Sequence, residues 1–443
     1  MTKLETIDKT NIEYFLNRAV ISDNGKEFFL ANKDIIIDYN PIEQFVYSIN
    51  QNIGHSLRIM FLCSQALFDF TQSLKSIFGK KGYFTDDYVM NEGFASVKEA
   101  EHIASGLKED TRLIISIGGY EIIETAKLVS SAVKLPLALY IPTPECDTAL
   151  SPYACVYHQK ARDVFVTKTP CIVCVDMSAI ACSSQSSLGG GIGVLASRLV
   201  ALWDWNFAHI FNNENGDYEL MQAAFSVLNS FSHNADGILR KDMKALLEMV
   251  QAQLKLSAIT QLSKSPRMSG GGEESAFNVL EMFFIKENKS LRARGENLFL
   301  CAKIILRAYK AWLSSLKVNQ FLCPPDNTLR LEKLTDYMGL SELTALKKIY
   351  MIDNFEQWEI MQYKWDEYRQ DLRQKLEQYC MCFENLERVF KRIYSDAAFW
   401  ITKYLTESDI MLMLGLAPDT SPKFTMLSFV KMTGALDRYL EGV

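Results

Sequence analysis

Up to about residue 185, short apolar runs rich in β-branched residues alternate with stretches whose apolar positions recur every three or four residues. That alternation predicts βαβ units around a parallel sheet. The strands it predicts are "DIIIDY" (34–39), "LRIMFLC" (57–63), "RLIISI" (112–117), "LALYIP" (137–142) and "CIVCVD" (171–176). Helical spacing appears in "SQALFDFTQSLKSIF" (64–78), "SVKEAEHIASGLK" (96–108) and "EIIETAKLVSSAV" (121–133). After "SSQSSLGGGIG" (183–193) the strand pattern stops, and long helical stripes of Leu, Phe, Tyr and Trp continue among charged faces. The expected architecture is an α/β domain over 1–185 with a Rossmann-like parallel sheet, followed by an all-α domain over 186–443. No internal repeat or low-complexity tract interrupts it, and the charged stretch from Glu342 to Arg392 reads as solvated helix.

Composition narrows the function classes. With 443 residues and 48% apolar content the chain can bury two domains' worth of core. A formal charge of −6, with no Lys/Arg-rich block, leaves no electrostatic footprint for nucleic acid or an anionic membrane. No uncharged apolar run is long enough to suggest a membrane-spanning segment. The start "MTKLETIDKTNIEYF" lacks a signal-peptide layout, and ten cysteines in a chain of this length do not form a disulfide framework; a reducing cytoplasm is the expected setting. Cys171 and Cys174 sit in an apolar strand, where residues three apart point to opposite faces, and Cys380 and Cys382 lie in a helical stretch; both pairs read as core thiols.

The chemistry, if any, concentrates at "IGGYEIIETAK" (117–127), a Gly-Gly turn between a strand and a helix, where an α/β protein commonly holds a phosphate. In the same order come "LPLALYIPTPECDTALS" (135–151), "LGGGIGVLASRLVALWDWNFAH" (188–209), "PRMSGGGEE" (266–274), "RGENLFL" (294–300) and "PKFTMLSFVKMTGALD" (422–437). This series resembles the glycerol-1-phosphate dehydrogenase family, within the superfamily of glycerol dehydrogenase, iron-containing alcohol dehydrogenase and dehydroquinate synthase. The resemblance implies the dehydroquinate synthase-like fold, with a small-molecule cleft between the domains where a nicotinamide cofactor meets zinc or iron. It also implies membership of a group whose members commonly form homo-oligomers.

Against the family pattern the chain departs at several positions. The family's turn reads Gly-Ser/Gly-Gly-Thr/Ser with an Asp three residues later; here those positions are Gly118, Gly119, Tyr120, Glu121 and Glu124, with Thr143 expected beside them. Tyr120 adds a ring where backbone should approach a pyrophosphate, and Glu121 adds a like charge, so NAD(P)H binding in the usual pose is expected to be weak or undetectable. Two like charges about 4 Å apart repel by roughly 4 kcal/mol at a surface-like dielectric. Tyr120 is expected to fill the space above the helix start, with Glu121 satisfying the first-turn amides; the alternative is that both turn sideways into solvent.

The family's metal ligands are one Asp and two His. The resemblance places Gly193 or an immediate neighbour at the Asp, Glu274 at the first His and Arg294 at the second, and between Ser183 and Trp203 there is no Asp, Glu or His. The five histidines, His55, His102, His158, His209 and His233, leave none in the last 210 residues (443 − 233), so zinc or iron held by histidine is not expected. Glu274 and Arg294, of opposite charge, suggest an ion pair in place of the ion; the alternative is two surface charges on separate helices. Asp147 and Ser151 match a substrate loop with one residue deleted, and Asp147 joins Arg294 and Glu274 as a catalytic candidate. Asp204 and Trp205 read as packing and capping, and Lys127 as a solvated charge.

Two functions follow from these departures. The altered positions Tyr120, Glu121, Gly193, Glu274 and Arg294 favour a divergent homologue that has lost metal-dependent dehydrogenase chemistry and acts in binding or regulation. The alternative is a metal-independent NAD(P)-dependent oxidoreductase on a small polyol, polyol phosphate or carbonyl compound. In that reading, which follows the superfamily's maleylacetate reductases, Arg294 polarises a carbonyl oxygen.

Overall fold

The computed structural model describes residues 20–21, 27–28, 30–90, 93–214, 216–287, 289, 292–315, 327–341, 355–394, 405–433 and 436. These fall into two compact units. Unit 1 comprises Met1–His158, Arg162–Gly191 and Arg240–Pro266; unit 2 comprises Gln159–Ala161, Ile192–Leu239 and Arg267–Val443.

Among the described residues there are ten strands: β1 (Val20–Ile21), β2 (Glu27–Phe28), β3 (Asp34–Asp38), β4 (Arg58–Ser64), β5 (Phe84–Met90), β6 (Thr111–Ile117), β7 (Leu137–Ile141), β8 (Tyr153–His158), β9 (Ala161–Val166) and β10 (Ile172–Asp176). Six of them form one sheet in the order β3-β10-β7-β6-β4-β5, and every neighbouring pair in it is parallel. All five apolar runs became strands of this sheet; four of them, β4, β6, β7 and β10, are inner strands buried on both faces, which a parallel sheet demands, while β3 is an edge with Ile35 and Ile36 buried. One face carries Phe45, Phe61, Phe78, Leu113, Ile115, Ile117 and Tyr140, packed edge to face in the pairs Phe61–Phe78 and Phe45–Tyr140.

Two features escape the apolar pattern. Strand β5, "FTDDYVM", is the sheet's edge and is only partly buried, so it carries Asp86 and Asp87 and shows no apolar run. Strands β8 and β9 form a separate two-stranded hairpin, which contacts the rest of unit 1 through an isolated bridge between Tyr157 and Ser96.

The helices of unit 1 are Ile42–Asn52, Phe68–Lys80, Val97–Ser105, Tyr120–Val133, Met177–Cys182, Met243–Leu262 and the first turns of Gln185–Asn212. The division thus differs from a single cut near residue 185. It falls inside helix Gln185–Asn212, and the later helix Met243–Leu262 belongs to unit 1. The cause is polar. Gln253 donates to Pro144 O at 2.7 Å and accepts from Cys146 N at 2.7 Å, Ser257 accepts from Leu150 N at 2.9 Å, and Gln261 donates to Leu150 O at 2.6 Å. These buried bonds tie that helix to the segment after β7.

Unit 2 is helical: the remainder of Gln185–Asn212, then Tyr218–Asn234, Gly272–Lys286, Arg294–Ser315, Asn327–Met338, Phe355–Ile393, Glu407–Leu416 and Met426–Met432. Among the described residues no strand follows Asp176. The charged stretch read as helix from Glu342 onward is one 39-residue helix over Phe355–Ile393; its 342–354 part lies outside the described residues. One helix, Gln185–Asn212, is long and apolar enough to cross a membrane by length and composition, and 89% of its most apolar window is buried inside the protein. That burial explains its composition as core.

Candidate functional site

The turn of unit 1 keeps its glycines for steric reasons. Gly118 has φ +153°, and a Cβ there would lie 2.8 Å from Ile122 Cγ1. A Cβ on Gly119, the N-cap of helix Tyr120–Val133, would lie 2.8 Å from Thr143 Oγ1. The Thr143 hydroxyl is buried and has no hydrogen-bond partner. Strand β6 therefore enters the helix with backbone, not side chain, at the turn.

Tyr120 and Glu121 both turn aside, though not into solvent. Tyr120 is buried, its hydroxyl 3.4 Å from Cys155 O, and the Arg162 guanidinium lies 5.6 Å from its ring centroid. Glu121 accepts from Ala95 N at 2.5 Å and from Arg162 Nη2 at 2.9 Å. Glu121 thus does not satisfy the first-turn amides of its own helix, as the sequence had suggested. Arg162 neutralises its charge, so the like-charge penalty expected at the turn is relieved. The reason is non-local: Arg162 arrives on β9, 41 residues away. Replacing Tyr120 and Glu121 would remove the carboxylate and the ring that Arg162 meets instead of merely opening space.

Lys127 is likewise not solvated. Its side chain is fully buried and donates to Glu124 Oε1 at 2.9 Å, Thr148 O at 2.6 Å and Tyr153 O at 3.0 Å. Asp147 is buried in the adjoining segment, and Ser151 Oγ accepts from Tyr153 N at 3.1 Å.

In unit 2 the positions that the resemblance aligns with metal ligands are Gly193, Glu274 and Arg294. Gly193 meets the backbone of helix Arg294–Ser315 so closely that a Cβ would lie 2.0 Å from Gly295 O. Glu274 and Arg294 approach to 3.8 Å, both largely buried, which answers the ion-pair expectation over the surface-charge alternative. Next to them a second buried pair, Arg198 and Glu273, stands 3.9 Å apart. Arg198 also donates to Ser269 O at 2.5 Å, and Gly271 N donates to both oxygens of Glu273 at 3.1 and 3.2 Å. A charged residue inside the apolar run "GVLASRLVALW" was the one available signal for Arg198; Glu273 was hidden beside Glu274.

These residues do not fit zinc or iron. Gly193 offers no donor and no room for one, Arg294 is a cation, and Glu274 is engaged by it. Among the described residues no group of three or more His, Cys, Asp and Glu side chains is placed to hold a metal. The cysteines are consistent with core roles: Cys174, Cys301, Cys380 and Cys382 are buried thiols, and burial pushes the Cys301 thiol up, with Glu273 and Glu274 adding to the rise.

Asp204 serves capping and packing. Fully buried, it accepts from Gly272 N at 2.7 Å, Met426 N at 3.0 Å and Tyr309 Oη at 2.9 Å. It therefore closes the first turns of two helices at once. Burial still pushes its pKa up to about 6, against those donors and Arg267.

Burial also pushes Glu273 up to about 8, outweighing the Arg198 charge that lowers it; Glu274 and Asp204 add to the rise. The folded protein then keeps a proton that the unfolded chain releases near the ordinary Glu value of 4.5. A raised folded-state pKa means stability falls as pH rises through that window, by up to about 1.4 kcal/mol per pH unit for one proton. Urea unfolding at pH 6 and pH 7.5 should show this decline in the native protein and a flatter profile in Glu273→Gln. Equal slopes would show that another group sets the dependence.

No family model matches the chain. Similar proteins are nevertheless found. The glycerol-1-phosphate dehydrogenase [NAD(P)+] of Thermococcus kodakarensis is 24% identical over 251 residues, 54% of this chain and 69% of that protein. That of Sulfurisphaera tokodaii is 26% identical over 190 residues, 42% of this chain and 53% of that protein. The chain thus spans between half and about two thirds of the length of these relatives. In fold it resembles glycerol dehydrogenase from Schizosaccharomyces pombe, with a TM-score of 0.59 and 13% identity over 94% of this chain and 91% of that one. An archaeal halo-thermophilic alcohol dehydrogenase from a Red Sea brine pool gives a TM-score of 0.60 and 12% identity, covering 93% and 98%. The parallel α/β domain followed by helices is the fold of these enzymes. In sequence the chain is similar to glycerol-1-phosphate dehydrogenases, and in fold to a glycerol dehydrogenase and an archaeal alcohol dehydrogenase.

Proposed function

We propose that this chain is a dehydrogenase-like protein without metal-dependent chemistry, which acts by binding a nicotinamide dinucleotide at the Gly118–Gly119 turn. The observation that carries the loss of metal chemistry is the contact of Gly193 with Gly295 O, which occupies a ligand position with backbone. Three features of unit 1 support the ligand class. The turn presents backbone where a Cβ would clash, the buried Thr143 hydroxyl lacks a partner, and Glu121 is held away by Arg162. A helix start with no side-chain cap suits the charge of a pyrophosphate.

Two measurements test this. Metal analysis of the dialysed protein should find no stoichiometric zinc or iron; one tightly held equivalent, lost in Glu274→Ala, would overturn it. Fluorescence titration with NADH and NADPH should saturate, and with the ligand at 100 times its dissociation constant the protein should gain about 2.7 kcal/mol in thermal or denaturant stability. A flat titration would leave binding at the turn without support.

One observation favours a second reading, a metal-independent oxidoreductase. Arg294 is a buried cation, held beside Glu274 at the position of a family ligand. A bound nicotinamide supplies hydride chemistry, and Arg294 would polarise a carbonyl oxygen. Oxidation of NADH by a panel of small carbonyl compounds, abolished in Arg294→Met, would put this reading first.

A further inference from the structure

Glu124 and Lys127 lie one turn apart on helix Tyr120–Val133, and both side chains are buried. A buried lysine is costly unless its charge is matched and its three donors are used. Here all three donors have acceptors: Glu124 Oε1, Thr148 O and Tyr153 O. The second oxygen of Glu124 accepts from Cys155 N at 2.6 Å. The carbonyl of the same residue, Cys155 O, takes Arg162 Nη1 at 3.2 Å and the Tyr120 hydroxyl at 3.4 Å. The peptide of Cys155 is therefore held on both sides by the helix that starts at the glycine turn and by the strand that supplies Arg162.

The segment held in this way begins at Thr143, whose hydroxyl faces Gly119. Its other side is held by Gln253 at Pro144 and Cys146, and by Ser257 and Gln261 at Leu150. No regular secondary structure spans residues 142–152, so these side chains do the work that ladder hydrogen bonds do elsewhere. Packing alone needs no ionised pair at this place, since an apolar pair of similar volume would fill it without a desolvation cost. What the pair adds is direction: it fixes named carbonyls and one amide at set distances from the turn.

We propose that Glu124 and Lys127 are positioning residues, which hold the segment from Thr143 to Cys155 in register with the Gly118–Gly119 turn. The geometry of the ligand site then depends on an ion pair that does not touch the ligand. The ligand part of this proposal rests on the dinucleotide reading above; the tether itself does not.

The test uses the full chain, with NADH as the probe. Lys127→Met alone leaves the Glu124 carboxylate buried without its cation and is expected to destabilise the fold, so the informative variant is Glu124→Gln/Lys127→Met, which is neutral. Hydrogen exchange should rise about tenfold in peptides covering 143–155, while β6 and β7 stay protected. The NADH dissociation constant should rise by about tenfold in molecules that remain folded, and Lys127→Arg should restore part of both losses. Unchanged exchange over 143–155 would overturn the tether. Faster exchange with an unchanged dissociation constant would reduce the pair to a stability element and overturn its positioning role. If the unaltered protein fails to bind NADH, it is the dinucleotide reading that fails, and the exchange contrast by itself still supports or overturns the tether.

Discussion

Gly193→Ala is expected to unfold unit 2 or to cost it more than about 3 kcal/mol, the upper range for overpacking a rigid core. The new Cβ would lie 2.0 Å from Gly295 O and 2.7 Å from Gly295 C, both backbone atoms. A flexible side chain could swing away from such a contact, but two helix backbones can separate only by moving their whole packed faces. Phe299 Cβ, 3.2 Å from the same point, closes the remaining direction. Denaturant unfolding of the alanine variant measures the cost. A variant as stable as the native protein would mean that the helices part easily here, and the argument that this position excludes a metal ligand would fall with it. For the same reason, the triple replacement Gly193→Asp, Glu274→His and Arg294→His should yield unfolded or aggregated protein and no metal site.

Asp204→Ala should cost about 4 kcal/mol, since it leaves several buried donors without an acceptor at roughly 1–3 kcal/mol each. Those donors are the amides of Gly272 and Met426 and the hydroxyl of Tyr309. Asp204→Asn keeps one acceptor oxygen and should cost less. The ordering of the two variants in urea midpoints is the check; equal losses would point to packing, not hydrogen bonding, as the role of this side chain. The Tyr309 hydroxyl, pushed well up by its burial and by the Asp204 charge, stays a donor throughout the accessible pH range. Below pH 6 Asp204 takes up a proton in the folded state, and since that pKa is raised, stability does not fall there on its account.

The two charged pairs of unit 2 share a logic. Each is buried and joins a guanidinium to a carboxyl group, and neither gains much over an apolar pair of equal volume. Removing Glu274 leaves Arg294 without its counter-charge, whereas Glu273, which keeps its proton up to about pH 8, meets Arg198 as a neutral carboxyl group below that pH.

Much of the fold was legible in the chain by itself. The four inner strands, the edge strand β3 and the switch to continuous helix follow from local periodicity, because a buried strand must be apolar on both faces and an amphipathic helix must repeat every 3.6 residues. The absence of histidine beyond His233 is why no histidine-held ion is expected at the position the resemblance implies. What periodicity cannot carry is the identity of a partner far away in sequence. Glu121 looked like an anion facing a phosphate until Arg162 reached it, and Lys127 looked solvated until the carbonyls of Thr148 and Tyr153 enclosed it. Strand β5 escaped because an edge strand is free to carry carboxylates, and helix Met243–Leu262 joined unit 1 through glutamines that no hydrophobic pattern records. Gly193 is the sharpest case: the sequence shows a glycine, and only the packing of two helix backbones leaves no room for a Cβ there. Local patterns report burial, whereas the pairing of charges and the approach of backbones are set by chain segments that meet only after folding.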